Sequence, residues 1–356
     1  MFQESGFKFQ MIEFGSDFHF IAPTPGAEKT LYDFYPRANL YADGRQALIH
    51  LYQTQDWQRL WVPEYFCYEV VESLKQAGLD IRFYADYPGY TDDSKTLEAI
   101  QRNGFFKPTD AILRVNYFGT RSYRGSEKLS VAAVIEDHTH DLIGDWAKNS
   151  RADWCIVSLR KSLPIPEGGI LWSPVGLTLP TAPERSEESE RIASIRWEAM
   201  RLKTRYLSGE EVEKSAFRPG YVDTEGYFDT AGVCAIDDTS REYLSTFDIQ
   251  DWYIRKRENW EILRDIKKDG VKVLEPEDYR CYPFSLILQF DDINKRDIVR
   301  KALIEKCIYP AILWSVPPTG DGEIFVFSRT MLSIHCDARY SKEDILTMKS
   351  IIESIL

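Results

Sequence analysis

The sequence predicts an α/β protein: a large, mostly parallel sheet domain covered by helices, followed by a smaller C-terminal α/β domain. Three observations carry this. Short, nearly continuous apolar runs alternate with segments of helical spacing, the pattern of strands buried on both faces. The alternation dissolves between about Pro180 and Ser245 into charged, helical stretches and loops, and then resumes. The chain has 356 residues, 44% of them apolar, enough for one large domain and a smaller one. We place the division at residues 1–245 and 246–356.

Taken in order, a loop rich in Pro and Gly (Pro23 to Gly26) precedes GRQALIHLY (Gly44 to Tyr52), a helix with Ala47, Leu48 and Leu51 as its apolar positions. RLWVP (Arg59 to Pro63) is a strand stopped by proline. YEVVESLKQAG (Tyr68 to Gly78) has helical spacing and a glycine stop. A strand at Ile81 to Tyr87, a helix near Thr96 to Gly104 and a strand at Ala111 to Gly119 follow. Next come the strands VAAVIED (Val131 to Asp137) and WCIVSL (Trp154 to Leu159), and a return strand GGILWS (Gly168 to Ser173). Beyond Ser245 a long helix, Asp248 to Lys268, leads into a strand at Tyr282 to Phe290, a helix at Asp297 to Cys307, a strand at EIFVFS (Glu323 to Ser328) and a final helix from Ser341 to Leu356. No internal repeat or low-complexity segment interrupts this order.

Composition narrows the partners. The net charge is −12 and no Lys/Arg cluster breaks the acidic background, so nucleic acid and anionic membranes are poor partners. No stretch approaches the ~18 apolar residues of a membrane span. The first residues, MFQESGFKFQMIEFGSDF, contain no uninterrupted apolar core of a secretory signal. The six cysteines are scattered and never form a CxxC pair, which argues against a zinc site and a disulfide framework and fits a reduced cytoplasm. We therefore expect a cytoplasmic protein with no metal site.

The chemistry lies where two strands end. Asp137 closes VAAVIED, and Lys161 follows WCIVSL in the segment SLRKSLPIPEGG (Ser158 to Gly169). In a parallel sheet, ligands bind beyond the carboxyl ends of the strands, where both residues fall. A carboxylate and a lysine so placed are what pyridoxal 5'-phosphate (PLP) chemistry requires. The lysine holds the aldehyde as a Schiff base, and the acid faces the pyridine nitrogen so that the ring accepts electrons. The phosphate needs donors: Gly44 and Arg45 at a helix mouth offer backbone N–H groups, and Ser158 adds a hydroxyl near the lysine. His140, just past Asp137, has two readings, a contact to the cofactor's phenolic oxygen or a structural tie to a backbone carbonyl. Tyr65, Phe66 and Tyr68 are candidates to stack on a flat ring, and each is equally ordinary core. Asn116, at the end of the third strand, is open in the same way.

The order of these segments resembles the DegT/StrS type of sugar aminotransferases, fold-type-I PLP enzymes that act largely on keto-sugars attached to nucleotides. The matching stretches are DGRQALIHLY, WVPEYFCYEVVESLKQAGLDIRFYADY, ILRVNYFG, VIEDHTH, SLRKSLPIPEGG and MLSIHCDARYSKEDI, from about Asp43 to the C-terminus. The block around VIED and SLRKSLPIPEGG is the specific part. The resemblance implies Lys161 as the Schiff-base lysine and Asp137 as partner of the pyridine nitrogen. It sets His140 where the family commonly has glutamine, and Ser158, Gly44 and Arg45 at the phosphate, the last two through main-chain amides. It also implies a homodimer with the site at the subunit interface, an amino donor such as glutamate, and a keto acceptor. Two departures stand out. The family's usual Ser-Gly-Thr is here Gly44-Arg45-Gln46, and the region Glu225 to Asp238 lacks the Gly-x-Asn-x-Arg stretch by which the partner reaches the phosphate.

The expected function is thus amino-group transfer. Two alternatives keep the fold: a PLP-dependent lyase or desulfurase with Cys307 or Cys336 as nucleophile, and a non-catalytic scaffold that binds a sugar or a partner. A related dehydratase is disfavoured, because that chemistry goes with loss of the lysine.

Overall fold

The computed structural model describes residues 13–318 and 322–356, apart from residues 24, 91–96, 98, 99, 102, 103, 124–128, 130 and 132. The first strand, Asn39–Tyr41 (β1), precedes the helix Gly44–Gln53 (α1). Arg59–Pro63 (β2), Tyr68–Gln76 (α2) and Ile81–Tyr84 (β3) follow as the sequence predicts, with Gly78 at a positive φ just past the helix. The helix expected near residues 96–104 lies largely outside the described residues. Asp110–Val115 (β4), Ala133–Asp137 (β5), Trp154–Ser158 (β6) and Gly169–Trp172 (β7) complete the large sheet.

Its order is β1-β7-β6-β5-β4-β2-β3. Strands β2 to β6 run parallel, whereas β7 returns antiparallel to β6 and β1 antiparallel to β7. Alternate side chains feed two cores, one on each face. Ile112, Val134, Cys155, Val157 and Ile170 join one core, which the helices Glu187–Leu207 (α3) and Lys214–Glu225 (α4) cover through Trp197, Met200, Phe217 and Tyr221. Leu113, Val115, Ile135, Ile156 and Leu171 join the other, under Ala47, Leu48 and Leu51 of α1 and Val71 and Leu74 of α2.

A long helix, Ile249–Leu263 (α5), leads to a three-stranded antiparallel sheet ordered β10-β9-β8. Its strands are Val271–Val273 (β8), Leu286–Phe290 (β9) and Met331–Ile334 (β10). The helices Ile293–Glu305 (α6) and Lys342–Ile355 (α8) pack on it, and Phe14 joins the same core. One expectation is corrected here: EIFVFS is no strand but lies in the helix Gly322–Thr330 (α7). Its β-branched and aromatic residues favour a strand locally. The buried apolar positions, however, are Ile324 and Phe327, three apart, which are driven into the α1-side core while Val326 stays 54% exposed. Tertiary burial overrides local preference.

Two glycines let α1 press on the sheet. A Cβ at Gly44 would lie 2.9 Å from the Ser158 backbone, and one at Gly169 would lie 2.5 Å from the carbonyl of Asp43 and the nitrogen of Gly44. Gly169→Ala should therefore lose at least ~1–3 kcal/mol of stability in urea unfolding, the usual cost of overpacking. An unchanged unfolding midpoint would show that the contact is not tight.

Candidate active site

The carboxyl ends of β4, β5 and β6 open into a cavity of about 330 Å³ under the first turn of α1, within the ~300–1,000 Å³ common for small-molecule sites. Alternation along β5 sends Asp137 to the same face as Ile135, towards α1, and Asp137 lines the cavity with Gly44, Arg45, Phe66, Asn116, His140, Ser158 and Lys161. Eight of the ten cofactor-site candidates singled out from the sequence thus meet in one place, while Tyr68 lies outside it, its ring stacked on Phe83 (5.7 Å, 14°). Tyr65 does not line it either. Its ring packs behind the wall against Tyr117, Phe118, Trp314 and Phe327, and its hydroxyl donates to the Leu313 carbonyl. Tyr65 is core. Arg45 also departs from expectation in one respect: its amide donates to Asp43 Oδ1 (2.5 Å), the N-cap of α1, so that amide is already taken.

Short hydrogen bonds tie the loops together. The Thr139 amide donates to Asp137 Oδ1 (2.9 Å), and the Ser158 amide donates to Thr139 Oγ1 (2.9 Å). Ser162 Oγ donates to the Thr139 carbonyl (2.6 Å), and Trp252 Nε1 donates to the Ser162 carbonyl (2.9 Å). Lys161 ends the turn Leu159–Lys161, which is pinned by the Leu159 amide donating to the Gly168 carbonyl (2.8 Å). Its side chain projects into the cavity, reachable by a ligand though protein surrounds it.

The electrostatics suit a reactive amine. Arg160 next to it, and then burial, lower the Lys161 ammonium pKa to about 8, against the pull of Glu225 and Asp43. Burial pushes the Asp137 carboxyl up, opposed by its hydrogen bonds from Thr139. His140 is lowered to about 3 by burial, Lys256 and Lys161, so its ring is neutral near pH 7. Its Nδ1 accepts from the Phe118 amide (3.0 Å), which leaves the proton on Nε2. His140 therefore has a structural tie, to an amide and not to the expected carbonyl, and still presents a donor.

Sequence reasoning missed several lining residues. Trp314 stacks near-parallel on His140 (5.6 Å, 18°) and Phe118 (6.3 Å, 23°), and Phe284 packs on His140 at 4.5 Å. Thr139, Cys67 and Arg160 also line the cavity. Trp314 comes from a loop far along the chain, and no local spacing marks it. Beyond Lys161 a second cavity of about 520 Å³ shares Arg160, Lys161, Phe284 and Leu313 and is edged by Asp17, Arg196, Tyr221, Glu225, His335 and Arg339. Cys307 and Cys336 line neither cavity, and burial pushes the Cys336 thiol up to about 12.

On the opposite face of β5, ligand-type atoms of Glu136, His138 and Cys155 lie within 4.8 Å of one another, a grouping the scattered cysteines did not suggest. Hydrogen bonds already link it: Ser150 Oγ donates to Glu136 Oε2 (2.6 Å), Cys155 Sγ donates to Ser150 Oγ (3.3 Å), and His138 Nε2 lies 3.1 Å from Glu136 Oε2.

The residues present fit PLP. Both side-chain polar atoms of Asn116 are buried without a hydrogen-bond partner beside the cavity. A half-buried carboxylate with its pKa raised suits a cationic partner, and a lysine with its pKa lowered supplies an amine.

No protein-family model matches the sequence, and no curated protein does. Solved structures do. A DegT DnrJ EryC1 StrS aminotransferase from Brucella abortus is similar at a TM-score of 0.59 and 16% identity, over 89% of this chain and 85% of that one. The Helicobacter pylori aminotransferase PseC, involved in the biosynthesis of pseudoaminic acid, is similar at 0.63 and 12%, over 97% and 99%. The chain has the fold of the fold-type-I PLP-dependent aminotransferases. The Streptococcus pneumoniae protein Spr1654, named as a sugar aminotransferase, has this fold too in its PLP form (0.56, 11%, over 90% and 88%). Among the described residues no helix is long and apolar enough to cross a membrane.

Labelling of Lys161 by trinitrobenzenesulfonate, followed by peptide mapping, should reach half its maximal rate near pH 8, because the neutral amine appears as pH rises through the lowered pKa. A midpoint near the ordinary lysine value of ~10.4 would contradict the electrostatic argument.

Proposed function

We propose that the chain is a PLP-dependent aminotransferase that moves an amino group from an amino acid such as glutamate to a keto-sugar, free or nucleotide-linked. The observation that carries this is the single cavity shared by Lys161, Asp137, His140 and Asn116, under the N-terminus of α1. The shared fold, in which Spr1654 has been seen in PLP and PMP forms, supports the same reading.

Pyridoxal phosphate, when bound, supplies an aldehyde that condenses with amines and a ring that withdraws electrons from the bound carbon. Lys161 Nζ would hold it covalently and, once displaced by the donor amine, would serve as the base that moves the substrate proton. A lowered ammonium pKa suits both tasks. Asp137 would keep the pyridine nitrogen protonated, a stabilisation built in before reaction. His140 Nε2–H and the Asn116 amide are donors suited to the phenolic oxygen. Phe66, His140 and Trp314, which line the same cavity, would offer flat faces to the ring, and Gly44 and Ser158 would hold its phosphate end. The second cavity, with Arg196 and Arg339 at its edge, would admit a carboxylate-bearing donor and then the acceptor to the far side of Lys161. With Cys307 and Cys336 outside both cavities, the desulfurase alternative has no nucleophile among its candidates.

We further propose a homodimer, and a division between residues 1–245 and 246–356 that follows the two sheets. Val222 on α4, 60% exposed and bordering the second cavity, marks a face suited to a partner copy near the site.

Borohydride reduction of the PLP-loaded protein should place the reduced cofactor on the peptide carrying Lys161, and Lys161→Ala should abolish both labelling and turnover while the protein stays folded. A label on another lysine would remove the proposal. Asp137→Asn should keep PLP bound but slow turnover on the order of 10³-fold, corresponding to about 4 kcal/mol of transition-state stabilisation. Near-normal turnover would make Asp137 structural.

A further inference from the structure

The loop that carries Lys161 also carries an acid, Glu167, whose side chain is fully buried. A carboxyl group in such a place must be paired or neutral. Its Oε1 accepts from the Asp237 amide (2.6 Å), and Ser189 Oγ of α3 donates to its Oε2 at 3.4 Å. Its side chain also hydrogen-bonds that of Asp237, a second carboxyl group, itself 7% exposed. No cation acts on Glu167 among the described residues. Arg185, just before α3, is spent at the surface on Glu190 and Asp238 (2.5 and 2.9 Å), and Arg241 is exposed. The titratable groups around Ser189 and Glu167 are Cys234 and Tyr227. Burial raises the pKa of both, so neither carries charge near pH 7.

Two carboxyl groups can bond to each other only through a proton. Asp237 is the member placed to carry the charge. Its Oδ1 accepts from the Thr239 and Ser240 amides (2.9 and 3.2 Å) at the N-terminus of the helix Asp238–Thr246, where negative charge is favoured. Its Oδ2 is buried and accepts from no other group among the described residues, so a proton on Glu167 is the donor it needs. Burial holds the Glu167 carboxyl well above the ordinary range, and the charge of Asp237 adds to this against the pull of the Asp237 amide.

The pair sits where the Lys161 loop is fastened. Gly168, next in the chain, donates to the Ala42 carbonyl (2.6 Å), and its own carbonyl accepts from the Leu159 amide (2.8 Å) that opens the turn ending at Lys161. From the other side, the Cys234 amide donates to Gln46 Oε1 of α1 (3.1 Å), and the Cys234 carbonyl accepts from the Ala42 amide (3.1 Å). One neutral acid thus joins the Lys161 loop, the mouth of α1 and the segment Glu225 to Asp238. We propose that Glu167 and Asp237 share one proton, and that Glu167 in this pair is a positioning residue for Lys161, fastening its loop to the turn before the helix Asp238–Thr246. The inference rests on the cofactor reading only for what Lys161 does; the shared proton stands without it.

The test uses Glu167→Gln, which keeps a donor in place of the proton and cannot ionise, and Glu167→Leu, which keeps neither donor nor acceptor. In infrared spectra at pH 7, the protonated-carboxyl C=O stretch of wild type should lose one component in Glu167→Gln. The thermal midpoint of Glu167→Gln relative to wild type should rise between pH 5 and pH 8. The sign follows because a carboxyl whose folded pKa is raised stabilises fully only below its unfolded value, ~4.3, and loses that as pH climbs towards the folded one. The apparent Kd for PLP, read from the Schiff-base band at pH 7, should rise about tenfold or more in Glu167→Leu and stay within about twofold in Glu167→Gln. Identical infrared spectra, or a midpoint difference constant with pH, would overturn the shared proton. Wild-type PLP binding in folded Glu167→Leu would overturn the positioning role, as would a loss in the glutamine variant as large as in the leucine one. If Glu167→Leu fails to fold, Glu167→Asp, which draws the acid back by one methylene, takes its place in the binding arm. Infrared and midpoint differences in a protein that never attaches PLP would sink the cofactor reading and keep the shared proton, with trinitrobenzenesulfonate labelling of Lys161 in the same variants then deciding the positioning role.

Discussion

The contact on which the rest of the site depends is the approach of the first turn of α1 to the ends of β6 and β7. Gly44 lies against the Ser158 backbone and Gly169 against Asp43, so closely that neither position has room for a methyl group. That approach places a helix N-terminus, with its free donors and partial positive charge, over the carboxyl ends of the central strands. It also brings Asp43 and Arg45 within reach of Arg160, and so sets the electrostatic surroundings of Lys161 from both sides. The Gly168 amide, donating to the Ala42 carbonyl (2.6 Å), ties the Lys161 loop to the same turn. Packing and chemistry are here the same contact.

Around it the protein concentrates positive charge in an otherwise acidic chain. Net charge is −12, yet Lys161, Arg160, Arg196 and Arg339 border the second cavity against Glu225 and Asp17 alone among the described carboxylates that line it. Burial raises the Glu225 carboxyl, but Arg160, Lys161 and Arg196 outweigh it and hold the group at about 2, so it stays ionised and neutralises part of the cluster. What remains lowers the cost of bringing an anion to Lys161 and raises the cost of keeping that lysine charged. Both effects serve an amine that must react near neutral pH.

Much of this was legible in the sequence, for a physical reason. Asp137 and Lys161 each follow an apolar run, and in a parallel sheet the ends of such runs meet at one edge, so two local patterns imply one site. The same logic delivered β2, β5, β6, α1 and α2 close to their observed bounds. It failed for β1 and β8, three residues each, which carry too few side chains for a pattern. It failed for EIFVFS, where burial of Ile324 and Phe327 outweighs strand preference. Tyr65 and Phe66 are neighbours of the same chemical type, and only the fold sends one to the cavity and the other into the core. Trp314, Phe284 and the Arg45–Asp43–Arg160 group depend on contacts between distant segments, which no local spacing encodes.

The central claim is that this cavity carries out amino-group transfer and does not merely bind a cofactor. The most direct measurement is the visible absorbance of the purified protein loaded with PLP, followed while candidate amino acids are added one at a time. Loss of the lysine-bound cofactor's band on addition of glutamate or another donor, with one equivalent of keto acid formed per site, is the expected result. A band that persists with every donor would contradict the claim and leave a protein that kept the fold and the lysine without the reaction.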